Sequence, residues 1–170
     1  SLCGHGEEAF ACFERMQCEA HFPNSVTILC MLKASIAIGA VDKGKSIHSR
    51  IAEYGWLPIL GPALVDMYVK CGSLEKAEQL FRKVKVRNVV CWTTLIGGYA
   101  KHGQGEEALN CFQQMQAEGI SPNAATYVCI LKACGSTKST LKGRETHAEI
   151  TREGLLEKNV LIGNALVDMY

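Results

Sequence analysis

Apolar residues fall along this chain in bursts with helical spacing, each parted from the next by glycine or proline. In GEEALNCFQQMQAEG (Gly105–Gly119), Ala108, Leu109, Phe112 and Met115 recur at i, i+1, i+4 and i+7, one stripe of a helix. Glu106 and Glu107 stand in its first turn, where the helix dipole favours acids, and Gly119 with Pro122 closes it. The preceding CWTTLIGGYAK is apolar with a lysine at its end, and Gly103 breaks it. The same grammar follows Ser73, read as an N-cap, with Ala77, Leu80, Phe81 and Val84 on one face. No segment alternates with period two over a useful length, so the pattern predicts helices and no strands.

The helical pairs repeat. Displaced by 99 positions, GEEAFACFERMQCEAHFPN (Gly6–Asn24) falls on GEEALNCFQQMQAEGISPN (Gly105–Asn123). Further on, LKA at Leu32–Ala34 meets LKA at Leu131–Ala133, Lys43-Gly44 meets Lys142-Gly143, and His48 meets His147. At ALVDMY (Ala63–Tyr68 and Ala165–Tyr170) the displacement has become 102, so the first copy is three residues shorter between Gly55 and Gly61. The unit subdivides into segments of 35 residues (89–123), 36 residues (124–159) and 31 residues (58–88), each an apolar first helix followed by a more charged second one. Residues 25–57 read as a shortened copy of the 36-residue type, 1–24 as the second helix of a 35-residue segment, and 160–170 as the first helix of a 31-residue one. Tandem helical pairs of this length predict an all-α, right-handed α-solenoid, here one array that opens and closes in mid-repeat as a fragment of a longer chain.

Composition narrows the reading. The net charge of +1 gives no overall pull on a polyanion, so the distribution of charge has to carry any such function. Only Asp66 and Asp168, of 17 acids, fall on first helices, whereas Lys33, Lys70, Lys101 and Lys132 do. A layer of first helices would thus be lysine-biased and the second helices acidic. The nine cysteines show no C-x-x-C spacing, and Cys12, Cys111, Cys129 and Cys134 sit inside apolar patterns, so they read as reduced, buried core residues. No run of about 18 apolar residues occurs, and no targeting peptide is visible.

The segments carry a family resemblance. VVCWTTLIGGYAKHGQGEEALNCFQQMQAEGISPN resembles the standard motif of pentatricopeptide repeat proteins almost throughout. TYVCILKACGSTKSTLKGRETHAEI resembles the long motif, and ALVDMYVKCGSLEKAEQLFRKV and GNALVDMY resemble the short one. The alternation of 35, 36 and 31 residues is that of the plant PLS subclass. A tetratricopeptide array, the nearest competitor, carries a different Trp/Leu/Gly/Tyr pattern and normally binds peptides.

The resemblance implies sequence-specific binding of single-stranded RNA, one base per motif, as the specificity part of an organellar RNA-editing or other RNA-processing factor in mitochondrion or chloroplast. It implies no enzymatic activity and no cofactor. Base choice falls to an early polar side chain of the first helix and to the motif's last residue. In the standard motif these are Thr93 and Asn123, a combination the family associates with adenine; a hydroxyl and an amide can hydrogen-bond one exposed Watson–Crick edge. The matching positions elsewhere are Asn24, Asn88, Asn159 and Asn164, while Pro62 stands where Asn164 stands in the second copy and offers no side-chain hydrogen bond. Leu29 and Val128 occupy the early position of the long motifs, which therefore read as spacers. Val26, Ile59, Val90 and Leu161, with Ala125, match the place where the family wedges bases, and Lys70 and Lys101 match its backbone-facing lysines. The alternative is a helical scaffold docking editing partner proteins through the long motifs. Exposed array ends would favour self-association.

Other chemistry finds little footing. HAE at His147–Glu149 imitates the H-x-E of zinc deaminases, but no P-C-x-x-C completes it, and the first copy reads His48-Ser49-Arg50. His147 is read as a packing histidine. The five histidines and nine cysteines lack metal-ligand spacing. GGYAKHGQG lacks Walker spacing and lies between helices.

Overall fold

Asparagine and glycine punctuate the described residues into ten helices, with no strand among them. The computed structural model describes residues 2–85 and 87–170, with the side chains of residues 2–4 left aside. Ser1, which opens the expected first partial motif, and Val86, inside the expected 58–88 motif, lie outside the described residues. The helices are α1 (Leu2–Cys18), α2 (Ser25–Ile38), α3 (Val41–Glu53), α4 (Leu57–Lys70), α5 (Leu74–Lys83), α6 (Val89–Lys101), α7 (Gly105–Ala117), α8 (Ala124–Thr137), α9 (Thr140–Arg152) and α10 (Val160–Met169).

The chain forms two compact units, Ser1–Val86 and Arg87–Tyr170. In the first, α2 packs on α1, α3 and α4, and α4 packs on α3 and α5. In the second, α8 packs on α6, α7, α9 and α10, and α6 packs on α7. First helices therefore lie side by side, α2 on α4 and α6 on α8 on α10, with second helices against them. This is the all-α, α-solenoid arrangement of stacked helical pairs.

Second helices behave as the pattern predicts. α7 buries Ala108, Leu109, Phe112 and Met115, and α5 buries Ala77, Leu80 and Phe81, with Val84 just beyond its end. First helices are buried on several sides because they pack both on second helices and on neighbouring first helices, α4 on α2, α3 and α5, and α6 on α7 and α8. α6 buries Cys91, Trp92, Leu95, Ile96 and Tyr99, and Trp92, Tyr68 and Tyr127 are among the largest fully buried side chains. Gly44 of α3 and Gly143 of α9 admit close approach: a Cβ there would lie 2.5 Å from the sulfur of Met67 and of Met169 respectively.

Several expectations need correction. Ser73 stands at the N-cap of α5 but makes no side-chain cap bond. Its ψ of 63° departs from the extended backbone of a bonding cap, and Ala40, Gln104 and Ser139 start α3, α7 and α9 with ψ of 87°, 61° and 76° and no cap bond either. Pro62 lies inside α4, because that helix starts at Leu57; its missing N–H removes the bond to the carbonyl of Pro58. The connection before α4 spans only Tyr54–Trp56, whereas Glu153–Asn159 precede α10. Cys111 and Cys134 are buried and Cys129 half-buried, but Cys12 is exposed, as are Cys18 and Cys30. Cys12 falls on the solvent side of α1, whose core contacts come from Phe10 and Phe13.

Candidate nucleic-acid interface

Every first helix of the described repeats except α4 opens on an asparagine with a bonding cap. Asn24, Asn88, Asn123 and Asn159 each turn the side-chain oxygen back onto a backbone N–H of the helix that follows. The partners are Thr27 at 2.8 Å, Cys91 at 3.0 Å, Thr126 at 2.9 Å and Leu161 at 3.0 Å. Each bond satisfies one of the orphan donors at a helix N-terminus. The residues assigned to base reading at motif ends are thus also the caps of the next first helix. The oxygen faces the helix in each case. Asn164 is exposed inside α10. Leu57 occupies the place in the first copy that Asn159 holds in the second, which removes both cap and amide there.

Thr93, half-buried on α6, lies 2.7 Å from the hydroxyl of Thr126 on α8. Thr126 is fully buried, and its Oγ1 also bonds Asn123 in a capping box, receiving the Asn123 N–H at 3.2 Å and donating to Asn123 Oδ1 at 3.0 Å. Thr93 and Asn123 are therefore joined through one hydroxyl. Sequence reading passed over Thr126; the signal for it was Asn-x-x-Thr at 123–126, repeated at 24–27.

Four aliphatic residues share one place, two residues beyond these caps or their equivalent, and stand in solvent. Val26, Ile59, Val90 and Leu161 keep 65%, 69%, 63% and 65% of their surface exposed. Large aliphatics recurring at one place and this exposed are not core residues. Ala125, at the same place on α8, is exposed too. Between α8 and α10 a cavity of about 490 Å³ is lined by Asn123, Ala125, Val128, Cys129, Asn159 and Leu161. An amide stands at either end, with apolar side chains between. Burial pushes the Cys129 thiol up despite the nearby Lys132, so this wall is neutral.

The lysines of the first helices are exposed. Lys70 is paired with Asp66 at 2.8 Å across one turn, which tempers its charge; Lys101 closes α6 without a carboxylate partner among the described residues. Asp66 and Asp168 remain the first helices' only acids. The two histidines of the HAE and HSR stretches each bond a tyrosine, Tyr68 in α4 and Tyr170 at the C-cap of α10. His48 Nδ1 meets the Tyr68 hydroxyl at 3.0 Å and His147 Nδ1 meets that of Tyr170 at 3.1 Å. Among the described residues no group of His, Cys, Asp or Glu could hold a metal ion.

Helical pairs whose first helices pack side by side within each unit, opened by asparagine caps, are the architecture of a helical-repeat protein. Residues 87–136 match the model of the PPR (pentatricopeptide) repeat family, and residues 63–89 match that of the PPR repeat. A pentatricopeptide repeat-containing protein of Arabidopsis thaliana is 39% identical over 153 residues, covering 89% of this chain and 18% of that protein. A chloroplastic one from the same plant is 37% identical, covering 98% and 27%, and a putative mitochondrial one is 35% identical, covering 100% and 27%. Among solved structures, the pentatricopeptide repeat protein PPR10 in complex with an 18-nucleotide psaJ RNA element superposes with a TM-score of 0.77 at 27% identity. That match covers 93% of this chain and 24% of the other. PPR10 from maize gives 0.69 at 25% identity, covering 89% and 22%. The chain carries pentatricopeptide repeats over residues 63–136 and is similar to pentatricopeptide repeat proteins over nearly its whole length. It spans between 18% and 27% of the length of these plant relatives.

Proposed function

We propose that this chain binds single-stranded RNA along its first helices, one base per motif, with adenine favoured at the 89–123 motif through Thr93 and Asn123. The observation that carries the proposal is the recurrence of exposed aliphatics, Val26, Ile59, Val90 and Leu161, at one place, three of them (all but Ile59) two residues beyond an asparagine cap. An unstacked base needs an apolar surface for its face and polar groups for its edge, and this pairing supplies both. The near absence of acids from first helices supports a neighbouring phosphate backbone, with Lys101 and, less strongly, the paired Lys70 facing it. The solved complex of PPR10 with RNA supports the same ligand class. The chain would act by positioning, with chemistry left to another domain or to helper proteins. The 35-, 36- and 31-residue alternation supports the PLS subclass and hence RNA editing, and the chloroplastic and mitochondrial relatives support an organellar setting.

Val90→Asp tests the wedge. Since Val90 is mostly exposed, the variant should melt like the parent yet lose about fivefold or more in affinity for single-stranded RNA, measured by fluorescence anisotropy. Unchanged binding would remove the aliphatic row from the interface and favour a protein-docking scaffold.

A further inference from the structure

We infer that Thr126, which no base touches, sets the hydrogen-bonding polarity of the Thr93–Asn123 pair and so decides which base edge that pair accepts. The inference rests on the base-reading proposal and extends it to a positioning residue in the next motif.

Only one placement of the protons makes every contact in this network a hydrogen bond, because Asn123 Oδ1 cannot donate. Thr126 has one hydroxyl hydrogen, and it goes to Asn123 Oδ1 at 3.0 Å. Its two lone pairs then receive the Asn123 backbone N–H at 3.2 Å and the Thr93 hydroxyl at 2.7 Å. Thr126 is fully buried, so no water competes for that hydroxyl. Thr93 must therefore donate inward, and its oxygen presents only lone pairs to a ligand. Asn123 Oδ1 accepts twice, from the Thr126 backbone N–H at 2.9 Å and from its hydroxyl, so this residue presents only the hydrogens of its NH2.

The pair thus offers one acceptor and one donor in fixed places. An acceptor aimed at an exocyclic amino group, beside a donor aimed at the adjacent ring nitrogen, complements the N6/N1 edge of adenine. Guanine carries the inverse order at O6/N1 and meets lone pair against lone pair and hydrogen against hydrogen. Without Thr126 the Thr93 hydroxyl would rotate and donate as readily as accept, and the distinction would fade. The junctions after Asn88 and Asn159 lack this lock. Cys91 follows Asn88 at the equivalent place, and Asn159 caps through Leu161 with Ile162 next. Thr27 repeats the bond to Asn24 at 3.0 Å.

The test uses the 170-residue chain and short single-stranded RNAs differing only at the base facing the 89–123 motif, compared by competition anisotropy. The parent should prefer adenine to guanine. Thr126→Val should lower the adenine-to-guanine ratio by roughly five- to tenfold. Thr126→Ser, which keeps the hydroxyl, should preserve it. Thr126→Cys gives a second route should valine unfold the chain, since cysteine is accommodated, buried, at this place in α6; it too should lower the ratio. A merely structural role would weaken binding to all RNAs alike and leave the ratio unmoved. A parental ratio kept in the valine or cysteine variant, or lost in the serine variant, overturns the inference alone. A parent that treats all four bases equally overturns base reading itself, and this inference with it.

Discussion

On the proposed function, Asn123 does two jobs with the two ends of one amide. Its oxygen caps α8, and its NH2 is left to meet a base. The jobs can be separated. Asn123→Ser keeps a good cap and loses the amide hydrogens, so it should leave stability nearly unchanged while flattening base preference. Asn123→Ala should also lower stability by about 1 kcal/mol, read by urea unfolding. Equal stability of the two variants would deny the cap its part. The cysteines are a second residue-scale case. Cys134 is 1% exposed, and burial pushes its thiol up to about 11, whereas Cys12, Cys18 and Cys30 are exposed. Iodoacetamide at pH 8 should label those three within the folded chain and spare Cys134, as mass spectrometry would report. The asparagines were legible from the sequence because they end motifs of recurring length. The link between Thr93 and Thr126 was not, because it crosses 33 residues and exists only once α6 packs on α8. Cys12 was misread for a simpler reason: apolar neighbours in sequence do not say which side of a helix a residue faces.

The second helices were the easiest elements to read. α5 and α7 have one apolar stripe each, and a stripe with one partner face leaves the other polar. First helices such as α4 and α6 are buried on several sides, so their nearly continuous apolar runs hid both the orientation of the helix and its first turn. The His48–Tyr68 bond ties α3 to α4, and His147–Tyr170 ties α9 to α10, a repeated join that the repeated histidines did not reveal alone. The His48 join also carries a pH dependence. Burial holds His48 below its ordinary value of 6.5, and Lys83 and Lys76 push it the same way. The folded state therefore binds its proton less readily than the unfolded chain. This contribution to stability is fully present above about pH 6.5 and declines as pH falls through the lower folded value. Urea midpoints measured between pH 7.5 and pH 5 should fall less steeply for His48→Gln than for the parent. Parallel curves would assign the acid sensitivity elsewhere.

At the scale of the whole molecule, the net charge of +1 conceals a division: Asp66 and Asp168 are the first helices' only acids, and the rest of the 17 lie on second helices and loops. That division, the helical repeat and the family resemblance were all visible in the sequence, because each depends on residues a fixed distance apart. Which aliphatics stand in solvent depended on packing, and so waited for the structure. The most direct measurement is equilibrium binding of this chain to single-stranded RNAs that carry A, G, C or U at the position facing the 89–123 motif, repeated across a salt series. The account predicts tightest binding to adenine. It also predicts a shallow salt slope, about −0.7 for each phosphate neutralised, because few lysines face the strand. Equal affinity for all four bases, or no binding to any, would contradict it.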